Sequence, residues 1–392
     1  MAAVFAARAG AETLIIERTV EGGRKVLISG GGRCNILPSD VDASRFVTDA
    51  SKNSLKKILL GWPLKEQISF FEKELQLPLE REAETGKLFP ASQRARDVRD
   101  GLLAEARARG AKLYAQALVT GIAPKDGKWA VDIADAPSIV VDAVIVATGG
   151  LSVPKTGSDG SGIAFARKLG VLVNPTYAAL TPVLAETPLF NALAGITLRV
   201  RITARDGERE ATAEDAFLFT HRGYSGPAVL DVSHVLVRAR DEGRRDARLL
   251  VRWTEIPEEE WTRRLGNAQA GTVHSVLRRE LPERLAEALC RHAAVEPSRT
   301  LPQLCKDERR RLLDVLLRCE LPWSAHEGYR VAEVTGGGVD LAEIDHKTME
   351  SRKHPGLFFC GEVLDVFGPI GGYNFLWAWV TGRAAGVGAA RR

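Results

Sequence analysis

Residues 22–35, Gly-Gly-Arg-Lys-Val-Leu-Ile-Ser-Gly-Gly-Gly-Arg-Cys-Asn, constrain this chain more than any other stretch. Five glycines, three cations and an Asn follow closely on the short apolar run Thr13–Glu17. Glycine lets a backbone turn, and approach a neighbouring group, where a Cβ would clash. Arg24, Lys25 and Arg33 add positive charge suited to a phosphate-bearing ligand. A loop of this kind behind a strand that ends in Glu points to a nucleotide cofactor.

The elements before the loop match the later part of a dinucleotide-binding βαβ unit. Such a unit runs strand, G-x-G-x-x-G, helix, strand, and then an acid about 20 residues after the glycines. Ala2–Ala9 is an Ala-rich helical segment, Gly10 ends it, and Thr13–Ile16 is a short strand closed by Glu17 and Arg18. Counting back about 20 residues from Glu17 puts the third glycine at or just before Met1. The expectation is an α/β, Rossmann-type domain incomplete at its N-terminus, with Met1 internal to the first helix and the first strand and loop upstream. The rival expectation is a chain that never carried that loop.

Composition narrows the class. A chain of 392 residues with 45% hydrophobic and 27% charged residues suits a soluble globular protein of two or three domains. A net charge of +4 is too weak to argue for nucleic acid, and the runs Arg244-Arg245 and Arg309-Arg310-Arg311 read as solvated surface. Five scattered cysteines with no C-x-x-C favour reduced thiols, a cytoplasmic location and no metal site. Cys34, inside the glycine loop, is expected to be a buried filler rather than a redox thiol. The longest apolar stretch, Ile139–Leu151, contains Asp142 and is too short to cross a bilayer.

Up to about Thr181 helices and strands alternate. Leu64–Leu75 and Ala95–Arg109 read as helices. Lys112–Ile122, Lys128–Ile133 and Ser138–Thr148 read as strands, the first two joined by a turn at Asp126-Gly127. Ile139–Thr148 is dense enough in Val and Ile to be one strand buried on both faces. The character changes near Glu186. The expected layout is one α/β, Rossmann-type domain formed by residues 1–185 and 322–392. An inserted module of residues 186–321 interrupts it, β-rich over 186–256, helical over 257–321.

Several motifs carry chemistry. Glu17 at a strand end can accept both hydroxyls of a ribose. Thr148-Gly149-Gly150 follows an apolar strand, where small residues let the chain pass under a cofactor. Gly361, Glu362 and Asp365 follow another, with Asp365 able to accept from a polyol. Gly371-Gly372-Tyr373-Asn374 opens the last helix, whose N–H groups suit an anion. His221, Tyr224 and Lys155 are candidates for substrate binding or proton transfer. G-x-S-x-G, H-E-x-x-H and Walker A patterns are absent, as is any second G-x-G-x-x-G that would mark a separate NAD(P)H domain.

Taken together, GGRKVLISGGGRCN, LFPAS, VATGGLSVPKTGSDGSGIAFARKLG, LFTHRGYSGPAVL, VTGGGV, TMESRKHPGLFFCGEVLDV and GGYNFLWAW resemble, in order, the BaiN/YhiN-type flavoproteins, bacterial NAD(P)/FAD-dependent oxidoreductases. The resemblance implies an FAD-binding, Rossmann-type domain with FAD lying along it, and an inserted β-barrel-like plus helical module that covers the flavin ring. Glu17 and Arg18 would meet the adenosine ribose, and Arg24, Lys25, Gly31 and Gly32 belong to the loop that meets the cofactor. Ala117–Val119 would lie at the adenine. Thr148, Gly149 and Gly150 would flank the pyrophosphate, and Gly361, Glu362 and Asp365 the ribityl and pyrophosphate. Gly371, Gly372, Tyr373 and Asn374 would meet the flavin ring. The implied activity is hydride transfer between a small organic substrate and flavin N5, with NAD(P)H as a transient reductant. Neither a membrane nor a nucleic acid is expected as partner, and no oligomeric state follows. Rival readings are a flavin-dependent RNA-modifying protein and a truncated, non-catalytic remnant.

Overall fold

A computed structural model describes residues 1–392, apart from the side chain of Pro188. The chain divides into two compact units, Met1–Thr176 with Glu333–Arg392, and Tyr177–Ala332. The second unit is longer at both ends than the change of composition at Glu186 suggests. The short strands Val183–Leu184 and Ala325–His326 belong to its sheet and draw their flanks in with them.

The first unit begins with the expected helix, Ala2–Arg8, whose Val4, Phe5, Ala6 and Ala7 are buried. Gly10, at φ +93°, turns the chain out of the helix. This helix packs on the closing helix Tyr373–Ala389 at very short range. A Cβ on Gly386 would stand 2.3 Å from the carbonyl oxygen of Ala2. Leu14–Glu17 pairs in parallel with Lys112–Ala115, and Val144–Val146 in parallel with Leu357–Phe359. Among the described residues these remain two separate two-stranded sheets, so Leu14–Glu17 and Val144–Val146 are each paired along one edge only.

Val119–Lys125, Lys128–Ile133 and Ala136–Val141 form an antiparallel sheet. Asp126 and Gly127, at φ +50° and +77°, make its first turn, with both central residues left-handed as a tight hairpin requires. Two expected strands are divided. Lys112–Ile122 breaks at Gln116, which takes φ +56°. Ile139–Thr148 is not one doubly buried strand. Ala136–Val141 ends the antiparallel sheet, with Val140 48% exposed, and Val144–Val146 enters the parallel pair. The charge between them explains the break: Asp142 stays at the surface, paired with Lys128 at 2.7 Å.

The second unit is built on a seven-stranded antiparallel sheet. Its edge strands, Cys319–Leu321 and Ala325–His326, are joined by Pro322–Ser324 alone. Three residues span at most about 14 Å from flank to flank, so the sheet curls back on itself. Among the described residues no ladder between the two edges closes it into a barrel. Within the stretch expected to be β-rich, Pro227–Asp241 is a helix that packs on the sheet, with Val229, Val232 and Leu236 among its buried residues. Its start was legible: Pro227 stands at the first helical position, where a missing N–H costs nothing. Helices Glu258–Arg264, Glu283–His292 and Lys306–Arg318 lie where the Arg/Glu/Leu pattern places them.

Candidate functional site

The first unit gathers three glycine-bearing segments that are far apart in sequence. The first follows Leu14–Glu17. Glu17 Oε1 accepts the Thr19 N–H at 2.7 Å, which orients the carboxylate at the strand end. Gly23, at φ +65°, has no room for a side chain, since a Cβ would come 2.7 Å from Arg99 Cγ. It caps the five-residue helix Arg24–Ile28. Gly30, Gly31 and Gly32 all take positive φ, and the Cβ position of Gly31 faces open space. Arg24 is exposed, whereas Arg18 and Lys25 have carboxylate partners: Arg18 pairs with Asp159, and Lys25 Nζ lies 2.5 Å from Glu362 Oε2.

The second and third segments meet at that ion pair. A Cβ on Gly150 would fall 2.4 Å from Thr335 Oγ1 and 2.9 Å from Glu362 Oε1, so only glycine fits. Gly149 takes φ +74°, and Thr148 is exposed. Glu362 Oε1 accepts the Thr335 N–H at 3.0 Å. Gly361 is held to the closing helix, its N–H donating to Thr381 Oγ1 and its carbonyl accepting from Trp377 Nε1. A Cβ there would touch only Ala378, at 3.9 Å, an ordinary contact distance. Lys25, Gly150, Thr335 and Glu362 thus form one cluster. Arg18 joins its rim through Asp159, whose neighbour Gly160 donates to the Gly150 carbonyl at 2.9 Å.

The start of the last helix is also tightly built. Gly372, at φ +94°, caps Tyr373–Ala389 and sits against Leu37 and Pro38, where a Cβ would come within 2.8 Å of both backbones. Asn35, with its amide oriented as its partners require, accepts from the Gly372 N–H and donates to the Leu37 carbonyl, each at 3.2 Å. The side chains of Asn374 and Tyr373 are engaged locally. Asn374 spends its amide on Gly368, accepting from its N–H and donating to its carbonyl, both at 2.9 Å. The Tyr373 side chain is buried, its hydroxyl accepting from Arg45 while that guanidinium lies 4.6 Å from the ring centroid. Both side chains brace the turn, leaving Gly371 and the N–H groups of the first helical turn as what it offers a ligand.

Asp365 is held inside the core. It is 2% exposed, and its Oδ2 accepts from Asn174 Nδ2 at 2.8 Å and from the Asp49 N–H at 3.1 Å. Asn174 donates to Asp340 as well. Burial pushes the Asp365 carboxyl up to about 6, with the nearby Asp49 and Asp340 charges adding to the rise against the two hydrogen bonds. Through Oδ2 it ties segments of the core together.

Of the substrate-side candidates, Tyr224 is a core residue. It is fully buried in the second unit among Phe190, Phe217 and Phe219, and its hydroxyl has no hydrogen-bond partner. Burial raises its pKa, which suits neither an acid nor a base. His221 is exposed at the hairpin turn before it, and Lys155 is exposed on a short 3-10 turn of the first unit. Ala117 is buried, its N–H donating to the Glu17 carbonyl at 2.9 Å, and Val119 opens the next strand. Cys34 is completely buried at φ +61°, and burial pushes its thiol up to about 12, as expected of a filler. A cavity of about 570 Å³ in the second unit includes none of the sequence-derived candidates, and its Arg201, Arg252 and Glu280 are already partnered. No group of side chains among the described residues is arranged to hold a metal ion, and no helix is long and apolar enough to cross a membrane. Thr335, Asn35 and Asn174 were not singled out by sequence, although Thr335 stands in VTGGGV and Asn35 closes the glycine loop.

The HI0933-like protein Rossmann domain matches residues 1–388. The chain belongs to that family. Over 390 residues it is 33% identical to a ribosomal RNA dihydrouridine synthase of Escherichia coli, covering 96% of this chain and 91% of that one. A protein of the same name from Haemophilus influenzae is 32% identical, covering 98% and 94%. A 3-dehydro-bile acid delta(4,6)-reductase of Clostridium scindens is 31% identical over 406 residues, covering 100% and 96%. The parallel strand pairs of the first unit agree with the Rossmann assignment.

Proposed function

We propose that this chain is an FAD-dependent oxidoreductase that reduces a carbon–carbon double bond conjugated to a carbonyl group. The observation that carries the reading is the convergence of Lys25, Gly150, Thr335 and Glu362, from segments at opposite ends of the chain, on bare glycine backbone. The residues present suit a dinucleotide. Gly31 faces open space, Gly361 is crowded by nothing nearer than Ala378, Lys25 and Arg18 have donors beyond those their carboxylates use, and Glu17 has a second oxygen for a ribose. Among the proposed contacts are also Arg24, Gly149 and the N–H groups that follow Gly371 and Gly372.

The relatives supply the reaction class. Dihydrouridine is uridine with one ring double bond reduced, and a delta(4,6)-reductase of a 3-dehydro acid acts on double bonds in conjugation with a ketone. Both names describe adding a hydride and a proton across an electron-poor C=C. FAD, when bound, supplies the hydride, with NAD(P)H as a transient donor. The chain's own part is to bind the flavin, exclude water from it, orient the substrate and deliver the proton to the second carbon. His221 and Lys155 are the groups proposed for substrate contact or proton delivery. We place the protein in the cytoplasm, in keeping with five free thiols.

A second reading, uridine in RNA as the substrate, is favoured by the two relatives named for ribosomal RNA, and it keeps the same chemistry. The deciding experiment is a visible spectrum of the purified chain with the cofactor released and identified. Anaerobically reduced enzyme is then mixed with a steroidal enone or with uridine-containing RNA. Bound FAD that is reoxidised by one of them supports the reading and selects the substrate. A colourless protein that takes up no added FAD overturns it. Gly150→Ala is expected to lose the flavin while keeping the circular dichroism of the wild type.

A further inference from the structure

We propose that Thr335 is the positioning residue of the cofactor cradle, setting the Gly149–Ser152 turn and Glu362 in register with each other; this rests on the flavin reading above. Thr335 lies on the strand Val334–Val339 and is fully buried. Its Oγ1 accepts from the Leu151 N–H at 2.7 Å and from the Ser152 N–H at 3.1 Å. Ser152 Oγ stands 3.1 Å away. A hydroxyl has two acceptor sites and one proton, so both acceptor sites are used and the proton goes to Ser152 Oγ. Every hydrogen-bonding capacity of the group is thereby committed to one turn.

The backbone of the same residue faces the other way in function. Its N–H donates to Glu362 Oε1 at 3.0 Å, and Glu362 Oε2 holds Lys25 Nζ at 2.5 Å. One residue therefore links the Gly149–Ser152 turn, the Gly361–Glu362 turn and the Arg24–Ile28 helix. Gly150 packs directly on it, at a distance where any side chain on residue 150 would strike Thr335. The cluster's geometry depends on where Thr335 stands. Among the described residues no other side chain accepts from both the Leu151 and the Ser152 N–H.

The test uses Thr335→Val, which keeps the shape and deletes the hydroxyl, and Thr335→Ser, which keeps the hydroxyl. Affinity for FAD is measured by fluorescence titration, and amide hydrogen exchange is followed at Leu151 and Ser152 in the flavin-free chain. Thr335→Val is expected to weaken FAD binding at least tenfold and to speed exchange at those two amides, while the far-UV spectrum stays native. Thr335→Ser is expected to restore both to within about twofold, a rescue that loss of packing alone would not give. Unchanged affinity and unchanged protection in Thr335→Val overturn the proposal. If the wild-type chain takes up no FAD, the flavin reading fails first, and the exchange data still decide whether Thr335 holds the turn.

Discussion

Replacing Tyr224 by Phe separates a catalytic tyrosine from a packed one. In sequence this residue stands in a loop-like run with a His, an Arg and a Ser, and it invites a catalytic role. In the structure its ring is enclosed by Phe190, Phe217 and Phe219, at centroid distances of 6.5, 5.6 and 6.1 Å, and its hydroxyl is buried without a partner. Leaving a hydroxyl buried and unpaired costs about 1–3 kcal/mol. Tyr224→Phe removes the hydroxyl and keeps the ring, so a gain of about 1 kcal/mol is expected once the small loss of contacts is deducted. For a unit of this size that is a rise in Tm of about 2–4 °C. The assay pairs a thermal melt of the variant with its turnover. Turnover is expected to match the wild type. A general acid or base contributes about 10²–10⁴ in rate, so a hundredfold loss of activity would show that the hydroxyl reaches substrate. A fall in Tm would show that it has a hydrogen-bond partner. Either result refutes the reasoning.

Two further outcomes follow from burial. Cys34, Cys290, Cys319 and Cys360 are all buried with thiols pushed up to about 12, whereas Cys305 is exposed at a helix start. A thiol reagent at pH 8 is therefore expected to label one cysteine quickly in the native chain and five after unfolding, with Cys305→Ser abolishing the fast phase; rapid labelling of Cys34 would contradict its placement. Asp365, raised from 3.8 to about 6, keeps its proton in the folded chain to a higher pH than in the unfolded one, so its stabilising contribution is full below about pH 4 and is lost as pH rises through 6. Asp365→Asn is expected to gain Tm relative to wild type between pH 5 and 7, by up to about 3 kcal/mol in stability; a difference that does not change with pH would mean that the carboxylate is already ionised across that range.

Much of the local structure was legible. Ala2–Arg8 is helical because alanine loses little on entering a helix, and Gly10 stops it by taking a positive φ. Asp126-Gly127 makes its turn for the same stereochemical reason. The helix Pro227–Asp241 was present in the pattern, but was hidden by the strands around it. The strand read across Ile139–Thr148 failed because density of Val and Ile reports burial on average and is blind to one charge, Asp142, that must reach water.

By itself the sequence determined the family, the alternation of helices and strands in the first unit, and which positions have to be glycine. Those properties live in backbone stereochemistry and in neighbours a few residues away. Only the tertiary structure decided which polar groups are available. Lys25 meets Glu362, Asp365 meets Asn174, and Thr335 meets Leu151, pairs separated by well over a hundred residues of chain. Tyr224 and His221 are near neighbours in sequence, yet one is enclosed and the other exposed. Burial and hydrogen-bond partnership are set by which distant segments pack together, so the same residue type can be a ligand, a brace or a filler until the fold assigns it.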